Sequence, residues 1–133
     1  MTLEDFDPID SETEQLATLT VHSAFKVHSI LGPGLLESVY ETCLCHELKK
    51  QGVTFQRQVS IPIMYDGIKL NDGLKIDILV GDRLIVELKA VEEMNPVFQA
   101  QLLTYLKLTK KRLGLLINFN VPIIKKGIKR IIL

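Results

Sequence analysis

Residues 73–90, GLKIDILVGDRLIVELKA, consist of two short apolar runs on either side of a Gly-Asp pair. Asp77 lies inside the first run, and Glu87 and Lys89 lie inside the second. A charged side chain is costly to bury without a partner, so charges in strands this apolar need a physical reason. The way in which the two runs pair decides where these charges lie.

The loop between the two runs sets their pairing. With a three-residue loop, Gly81-Asp82-Arg83, the apolar residues of both strands face one layer. The predicted pairs are Val80 with Leu84, Ile78 with Val86 and Ile76 with Leu88. A two-residue loop would place the two apolar sets on opposite faces, because a shift of one residue moves every side chain to the other face. We therefore predict an antiparallel hairpin with strands at about 74–80 and 84–90.

The same register predicts that Asp77 lies opposite Glu87, and that Lys75 lies opposite Lys89. Opposed side chains are about 5 Å apart at Cβ, and two carboxylates at that distance repel each other unless a cation lies between them. Hard cations such as Mg²⁺ bind one or two carboxylates together with water. The pattern indicates either a metal site with a lysine beside it or an ionic network on a solvent-facing sheet surface. Spacing alone favours neither.

Three helices are predicted from the period of the apolar residues. The first spans about residues 12–30 and the second about 35–51, separated by LGPG at 31–34, which a helix does not continue through cheaply. Pro96 opens the third, over 96–110, at the position where proline is favoured.

Further strands are predicted around the hairpin. Residues 53–65 alternate with period two and carry Pro62 near a strand end or a sheet edge. Strands at 113–119 and 123–133 follow the third helix. The order α, α, β, β, β, α, β, β predicts an α/β fold, in which helices flank a single mixed β-sheet.

Composition indicates one soluble domain. The chain has 133 residues, of which 47% are hydrophobic and 24% charged. No apolar run approaches the roughly 20 residues of a membrane helix, and the acidic N-terminus has no apolar signal core. We therefore expect a cytoplasmic protein with no membrane partner. Residues 1–12 are predicted to form a flexible acidic arm, and 13–133 the domain.

The charge distribution is uneven although the net charge is zero. The last 27 residues carry eight basic and no acidic side chains, which suits a polyanion, although charge alone favours a solvated charged face. The candidate nucleic-acid contacts are Lys110, Lys111, Arg112, Lys125, Lys126, Lys129 and Arg130. Aromatic residues are only 6% and tryptophan is absent, so a base-stacking surface for single strands is not expected.

Asp77 followed by Glu87-Leu88-Lys89 on the next strand resembles the motif of the PD-(D/E)XK nuclease superfamily. The run from Gly34 through Glu37 to Tyr40 resembles the G-x-x-E-x-x-Y signature of the small bacterial GxxExxY proteins, a group within that superfamily. The resemblance extends from about residue 15 to residue 132. Gln101 and Tyr105, one helical turn apart, are similar to the Q-x-x-x-Y element of RecB-type members.

This resemblance implies roles for particular residues. Asp77, Glu87, the Leu88 carbonyl and Glu37 are expected to bind Mg²⁺ or Mn²⁺, with Lys89 stabilising charge beside the metal. The other implied catalytic side chains are Gln101 and Tyr105, and the implied supporting side chains are Tyr40, His28 and Lys75. Lys75 stands where such proteins often carry arginine, so the charge is kept and the planar fork is lost.

Ordinary packing is the alternative for several of these residues. Glu37 in the first turn of a helix also suits the helix dipole. For Tyr40, core packing with its hydroxyl bonded explains the residue almost as well as a site role. For His28, a satisfied and partly buried histidine is the default explanation. For Tyr105, ordinary helix packing is favoured unless the family resemblance is considered.

The resemblance implies a metal-dependent nuclease that hydrolyses DNA phosphodiester bonds by attack of a metal-activated water. The alternative is a non-catalytic nucleic-acid- or protein-binding regulatory module with the nuclease fold. A third hypothesis is an enzyme whose substrate is a small phosphate ester or a nucleotide. A homodimer is expected if both strands of a duplex are cut, because that needs two sites.

Overall fold

The computed structural model describes residues 7–133. Its helices are α1 (Ser11–Leu31), α2 (Glu37–Lys50) and α3 (Pro96–Thr109). Its strands are β1 (Phe55–Tyr65), β2 (Ile68–Val80), β3 (Leu84–Lys89), β4 (Leu113–Asn118) and β5 (Ile128–Ile132). The predicted order of helices and strands is confirmed. A short 3₁₀ helix, Ile124–Gly127, occupies the first part of the predicted last strand.

The five strands form one mixed sheet in the order β1-β2-β3-β4-β5. β3 and β4 run parallel, connected through α3, and the other neighbours run antiparallel. α1 and α2 cover one face of the sheet, and α3 covers the other. β3 and β4 have both faces covered, which explains why their sequences are almost continuously apolar.

The predicted hairpin register is confirmed where the two strands pair. Val80 pairs with Leu84 and Ile78 with Val86 across the three-residue loop. The backbone ladder ends at that second pair, so the predicted pairs further along, 76 with 88, 77 with 87 and 75 with 89, lie beyond it. β2 also begins six residues earlier than predicted, because residues 68–74 pair with the edge strand β1.

Gly73 explains how this extension of β2 packs. The register between β1 and β2 shifts between Ile61 and Ile63, and Pro62 lies at that shift in the edge strand, where proline is tolerated. A Cβ on Gly73 would lie 2.3 Å from Cγ1 of Ile63, so the isoleucine side chain occupies the space that the glycine leaves.

Both strands of this long hairpin change faces at one level. In β1, Phe55 packs on the α1/α2 side, whereas Val59 packs on the α3 side, although Val59 lies four positions, an even number, after Phe55. In β2, Ile78 and Ile76 divide in the same way. Side chains two apart in a regular strand share a face, so the regular pleat is broken between these positions, at Gln58 in β1 and Asp77 in β2. Gln58 has a positive φ of 51°.

The first residues of the described chain lie against the body. Asp10 caps α1, and its carboxylate accepts a hydrogen bond from the Thr13 amide at 3.0 Å. Arg112 donates to the backbone carbonyls of Asp7 and Pro8. Within the predicted acidic arm, Asp7, Pro8 and Asp10 make these contacts, and residues 1–6 lie outside the described residues. None of the helices described is both long and apolar enough to cross a membrane.

Candidate active site

Asp77 lies where the β2–β3 ladder ends, and its side chain takes the place of a backbone acceptor. Its Oδ2 accepts a hydrogen bond from the Leu88 amide at 2.9 Å. The N–H and C=O of one residue in an extended strand point to the same side, so the Leu88 carbonyl also faces the gap between β2 and β3. The carbonyl of Lys89 points the other way and accepts from the Phe119 amide. A carboxylate and a backbone carbonyl thus border one opening.

Glu87 borders the same opening and is buried without a full set of partners. Its side chain is 7% exposed, and its Oε1 has no hydrogen-bond partner among residues 7–133. Burial raises the pKa of Glu87 to about 9, with a further contribution from the hydrogen bond and charge of Asp77; the charge of Lys89 opposes the shift. An acid with this pKa holds its proton at neutral pH unless a cation displaces it.

Lys89 completes the group at the end of β3. Its Nζ lies 4.2 Å from the centroid of the Phe98 ring on α3, a cation–π contact that holds the ammonium near the carboxylates. Its charge also reaches α2, where it lowers the pKa of Glu37. Lys89 is therefore a positive group held by an aromatic ring, within electrostatic range of Glu37 and Glu87.

Glu37 opens α2 and faces this group. Partial burial and then the charge of Asp77 raise the pKa of Glu37 above its usual range. Within residues 7–133, however, no three His, Cys, Asp or Glu side chains lie close enough together to hold one cation. Glu37 thus lies within electrostatic range of Asp77 without completing a three-carboxylate cage.

Tyr40 fixes the loop that precedes Glu37. Its hydroxyl donates to the Gly32 carbonyl at 2.7 Å and accepts from the Leu35 amide at 3.1 Å. Its ring stacks on Phe119 with centroids 4.5 Å apart. The tyrosine is fully buried, so it cannot reach a substrate, but it determines how the chain enters α2.

Tyr105 and Gln101, the two predicted site residues on α3, differ in their exposure. Tyr105 is half-buried; burial and then the charge of Glu87 raise its pKa, while the backbone at Lys75 acts in the opposite direction. The hydroxyl is therefore close to the acids. Gln101 and Lys75 have exposed side chains. His28 is buried, and its Nε2 lies 2.8 Å from the Val121 carbonyl.

Four residues of this region were not predicted from the sequence, namely Glu41, Arg57, Gln58 and Asn118. Glu41, one turn after Glu37, is buried and accepts from Arg57 at 2.9 Å and from Gln58 at 2.6 Å. Its helical spacing from Glu37 was a usable signal. Asn118, at the end of β4, bonds both the amide and the carbonyl of Val91 and so holds the segment after β3.

The donor set fits a hard cation. The carboxylates of Asp77 and Glu87 and the Leu88 carbonyl supply oxygen ligands, which Mg²⁺ and Mn²⁺ prefer. The orphaned Oε1 of Glu87 is a buried polar atom that a cation would satisfy. Two carboxylates with water suit Mg²⁺, which keeps part of its hydration shell.

The predicted nucleic-acid contacts are divided between the two ends of the sheet. Lys110, Lys111 and Arg112 precede Leu113, which pairs with the first residue of β3, so they lie about 17 Å from the Lys89 end. Lys125 and Lys126 lie in the 3₁₀ helix beside the site end of β4.

Several of these basic side chains already have partners within the protein. Lys111 pairs with Asp82, Arg130 pairs with Glu14, and Arg112 donates to backbone carbonyls. Lys129 lies on β5 opposite Leu116.

Comparison with known proteins identifies the family. The sequence profile of the PD-(D/E)XK nuclease superfamily matches residues 14–131, almost the whole chain. Neither the curated proteins nor the solved structures give a significant match. Because the matched region contains β1 to β4, α2 and α3 in full and most of α1 and β5, the profile covers the fold and the acidic cluster together. The chain belongs to the PD-(D/E)XK nuclease superfamily.

Proposed function

We propose that this chain is a divalent-metal-dependent nuclease that hydrolyses phosphodiester bonds of DNA. One observation carries the proposal: Glu87 is buried beside Asp77 with an oxygen that has no partner among the described residues. A purely structural ionic network would satisfy that oxygen, because an unpaired buried polar group is destabilising. The superfamily supplies the reaction class, and nucleic acid is its expected substrate.

In this proposal, the residues of β2 and β3 have two roles, metal binding and stabilisation of negative charge. Asp77, Glu87 and the Leu88 carbonyl would hold the cation, Mg²⁺ or Mn²⁺. When bound, the cation polarises the phosphate and lowers the pKa of a bound water. Lys89 stabilises the negative charge that develops on the phosphate, because Phe98 holds its ammonium beside the acids. A lysine with an ordinary pKa is a poor base, which favours this electrostatic role.

Glu37, Tyr105 and Gln101 complete the proposed site at a distance from the metal. Glu37 would accept a hydrogen bond from water beside a bound cation, a role that does not need direct ligation. The Tyr105 hydroxyl, close to Glu87, donates to a phosphate oxygen. Gln101, exposed on the first half of α3, contacts the nucleic-acid backbone, as do Lys75, Lys125 and Lys126.

We also propose that the chain is a member of the GxxExxY group. Each residue of that signature has a distinct place here: Gly34 has a positive φ of 98°, Glu37 opens α2 towards Asp77, and Tyr40 closes the loop. Together, the residues of this signature would position the Glu37 carboxylate close to the sheet.

One observation favours the alternative, a non-catalytic binding module. The tip of the β1–β2 hairpin exposes four large apolar side chains, Met64, Tyr65, Ile68 and Leu70. Exposed apolar residues grouped in this way are typical of interaction surfaces. This surface is compatible with catalysis and distinguishes the alternatives only if cleavage is absent.

The test is cleavage of linear, circular and single-stranded DNA with Mg²⁺, Mn²⁺ or EDTA. Wild type is compared with Asp77→Asn and Lys89→Met, and with Asp72→Asn as a matched control, since Asp72 is an exposed carboxylate on the same strand as Asp77. We expect metal-dependent cleavage that both site variants lose and the control keeps. Sedimentation of the protein with duplex DNA reports whether two copies act together. Wild type that binds neither metal nor DNA would leave the binding-module alternative.

A further inference from the structure

We propose that Gln58 is a positioning residue for Asp77, and that Glu41 and Arg57 hold Gln58 in place. The inference rests on the proposed function in one respect, namely that Asp77 is a metal ligand. It concerns a strand and a helix face that lie outside the superfamily motif present in this sequence.

The backbone at Gln58 is the first step. Gln58 has a φ of 51°, a left-handed conformation that is strained for a residue other than glycine and is typical of functional sites. It lies directly opposite Asp77, since the residues on either side of the two pair regularly with each other. Both strands lose their regular pleat at this level, so the strained residue and the acid belong to one local distortion.

The distortion brings two consecutive side chains to one acceptor. In a regular strand Arg57 and Gln58 would point to opposite faces of the sheet. Here Arg57 donates to Oε2 of Glu41 at 2.9 Å, and Gln58 donates to Oε1 of Glu41 at 2.6 Å. Both carboxylate oxygens of Glu41 are therefore satisfied by neighbours on β1. The left-handed conformation of Gln58 is what makes this double contact possible.

The amide group of Gln58 lies between two carboxylates. Its Nε2 is 2.6 Å from Oε1 of Glu41 and 3.5 Å from Oδ1 of Asp77. An amide nitrogen carries two hydrogens, whereas the amide oxygen would repel both carboxylates, so the orientation of the group is determined. The short contact to Glu41 anchors the amide, and the long contact supports Asp77.

Asp77 is thereby supported on both oxygens. Oδ2 accepts from the Leu88 amide at 2.9 Å, and Oδ1 faces the Gln58 amide at 3.5 Å. One donor comes from β3 and the other from β1, so rotation of the carboxylate breaks at least one contact. Partners of this kind orient a metal ligand, and their removal typically lowers metal affinity about 10- to 100-fold.

The test uses Gln58→Gly, because glycine adopts a positive φ without strain and the backbone can keep its course. Gln56→Ala is the matched control, an exposed glutamine two residues earlier on the same strand. Mn²⁺ binding is measured by electron paramagnetic resonance. We expect the Kd for Mn²⁺ to rise about tenfold in Gln58→Gly and to stay within about twofold in Gln56→Ala.

A second readout needs no metal. Amide hydrogen exchange of Leu88 in the metal-free protein reports the bond to Asp77, and we expect it to be about tenfold faster in Gln58→Gly at unchanged global stability. Wild-type exchange of Leu88 in this variant would overturn the inference, as would unchanged Mn²⁺ affinity. If wild type itself binds no Mn²⁺, the proposed function fails, and Leu88 exchange alone decides the inference.

Discussion

Two glutamates of this molecule are equally buried but differ in their hydrogen-bond partners. Glu41 on α2 and Glu87 on β3 are both 7% exposed. Glu41 accepts from Arg57 and Gln58 on both oxygens. Glu87 has one oxygen without a partner among the described residues, and its pKa is raised to about 9.

The difference lies in the neighbours rather than in the depth of burial. Donors surround Glu41, so its charge is compensated inside the protein. Glu87 faces another carboxylate, and the nearest positive group, Lys89, contacts the face of Phe98. A buried acid that the protein leaves uncompensated is a functional-site candidate, whereas a compensated one is part of the scaffold.

The largest expected effect separates the two glutamates by activity. Glu87→Gln should lower metal-dependent cleavage at least about a hundredfold, because a ligand and its charge are lost together. Glu41→Gln should lower it about tenfold or less, since Glu41 acts through Gln58. The measurement is single-turnover cleavage at saturating Mg²⁺. Equal losses in the two variants would break the comparison.

The same two substitutions should have opposite effects on stability. In the metal-free protein at pH 8, Glu87→Gln should raise the free energy of unfolding by about 1–3 kcal/mol, because the neutral amide removes a buried charge or its protonation cost. Glu41→Gln should lower it by about 1–2 kcal/mol through the weakened contacts with Arg57. Urea denaturation measures both. A loss of stability in Glu87→Gln would contradict the assignment of Glu87 as uncompensated.

The pH dependence sharpens this contrast. The pKa of Glu87 is raised to about 9 in the folded state from a usual value of 4.5, so between these values the folded state binds a proton that the unfolded state releases. Stability from this group is complete below about pH 4.5 and falls as pH rises towards 9. The difference in unfolding free energy between Glu87→Gln and wild type should therefore grow with pH, by up to about 1.4 kcal/mol per unit.

Denaturation of both proteins at several pH values between 5 and 9 in EDTA tests this trend, and the Glu41→Gln series serves as the control. A difference that stays constant across the range would mean that Glu87 titrates normally. Saturating Mn²⁺ should remove the trend, because the cation takes the place of the proton.

A smaller effect is expected where a buried polar group is neutral and satisfied. Tyr40→Phe removes the hydroxyl that bonds Gly32 and Leu35. It leaves those two backbone groups without this partner, and the free energy of unfolding should fall by about 1–2 kcal/mol. Cleavage should fall severalfold, since the loop that carries Glu37 loosens. Thermal unfolding and a cleavage assay at low temperature separate the two effects. Unchanged stability would show that water replaces the hydroxyl.

Sequence reasoning reaches the fold because burial on both faces leaves few alternatives. The six aliphatic residues around Gly81-Asp82-Arg83 are compatible with one register, and that register is the one observed at Val80–Leu84 and Ile78–Val86. The proximity of Asp77 to Glu87 followed from it. Asp66 and Gly67 between β1 and β2 both adopt positive φ, as expected for an Asp-Gly hairpin turn.

The missed features depend on contacts distant in sequence. Asn71, Asp72 and Gly73 look like a break between strands, yet pairing with β1 overrides this local preference and extends β2. No local signal identifies Gln58 as left-handed, because glutamine has no preference for that conformation; Glu41 and Asp77 stabilise it from other elements. The end of the β2–β3 ladder at Ile78–Val86 was not foreseen, because a side chain replaces a backbone acceptor beyond that pair.

The bond from the Leu88 amide to Asp77 has a consequence for how inactive descendants of such a protein would look. Asp77 supports the backbone as well as the proposed chemistry, so a descendant without cleavage would still gain from keeping an oxygen acceptor at position 77. Glu87 offers no such secondary benefit, because its burial beside Asp77 destabilises the metal-free fold. Drift without function would replace the glutamate first. In this chain we therefore expect retention of Glu87, rather than of Asp77, to depend on metal binding.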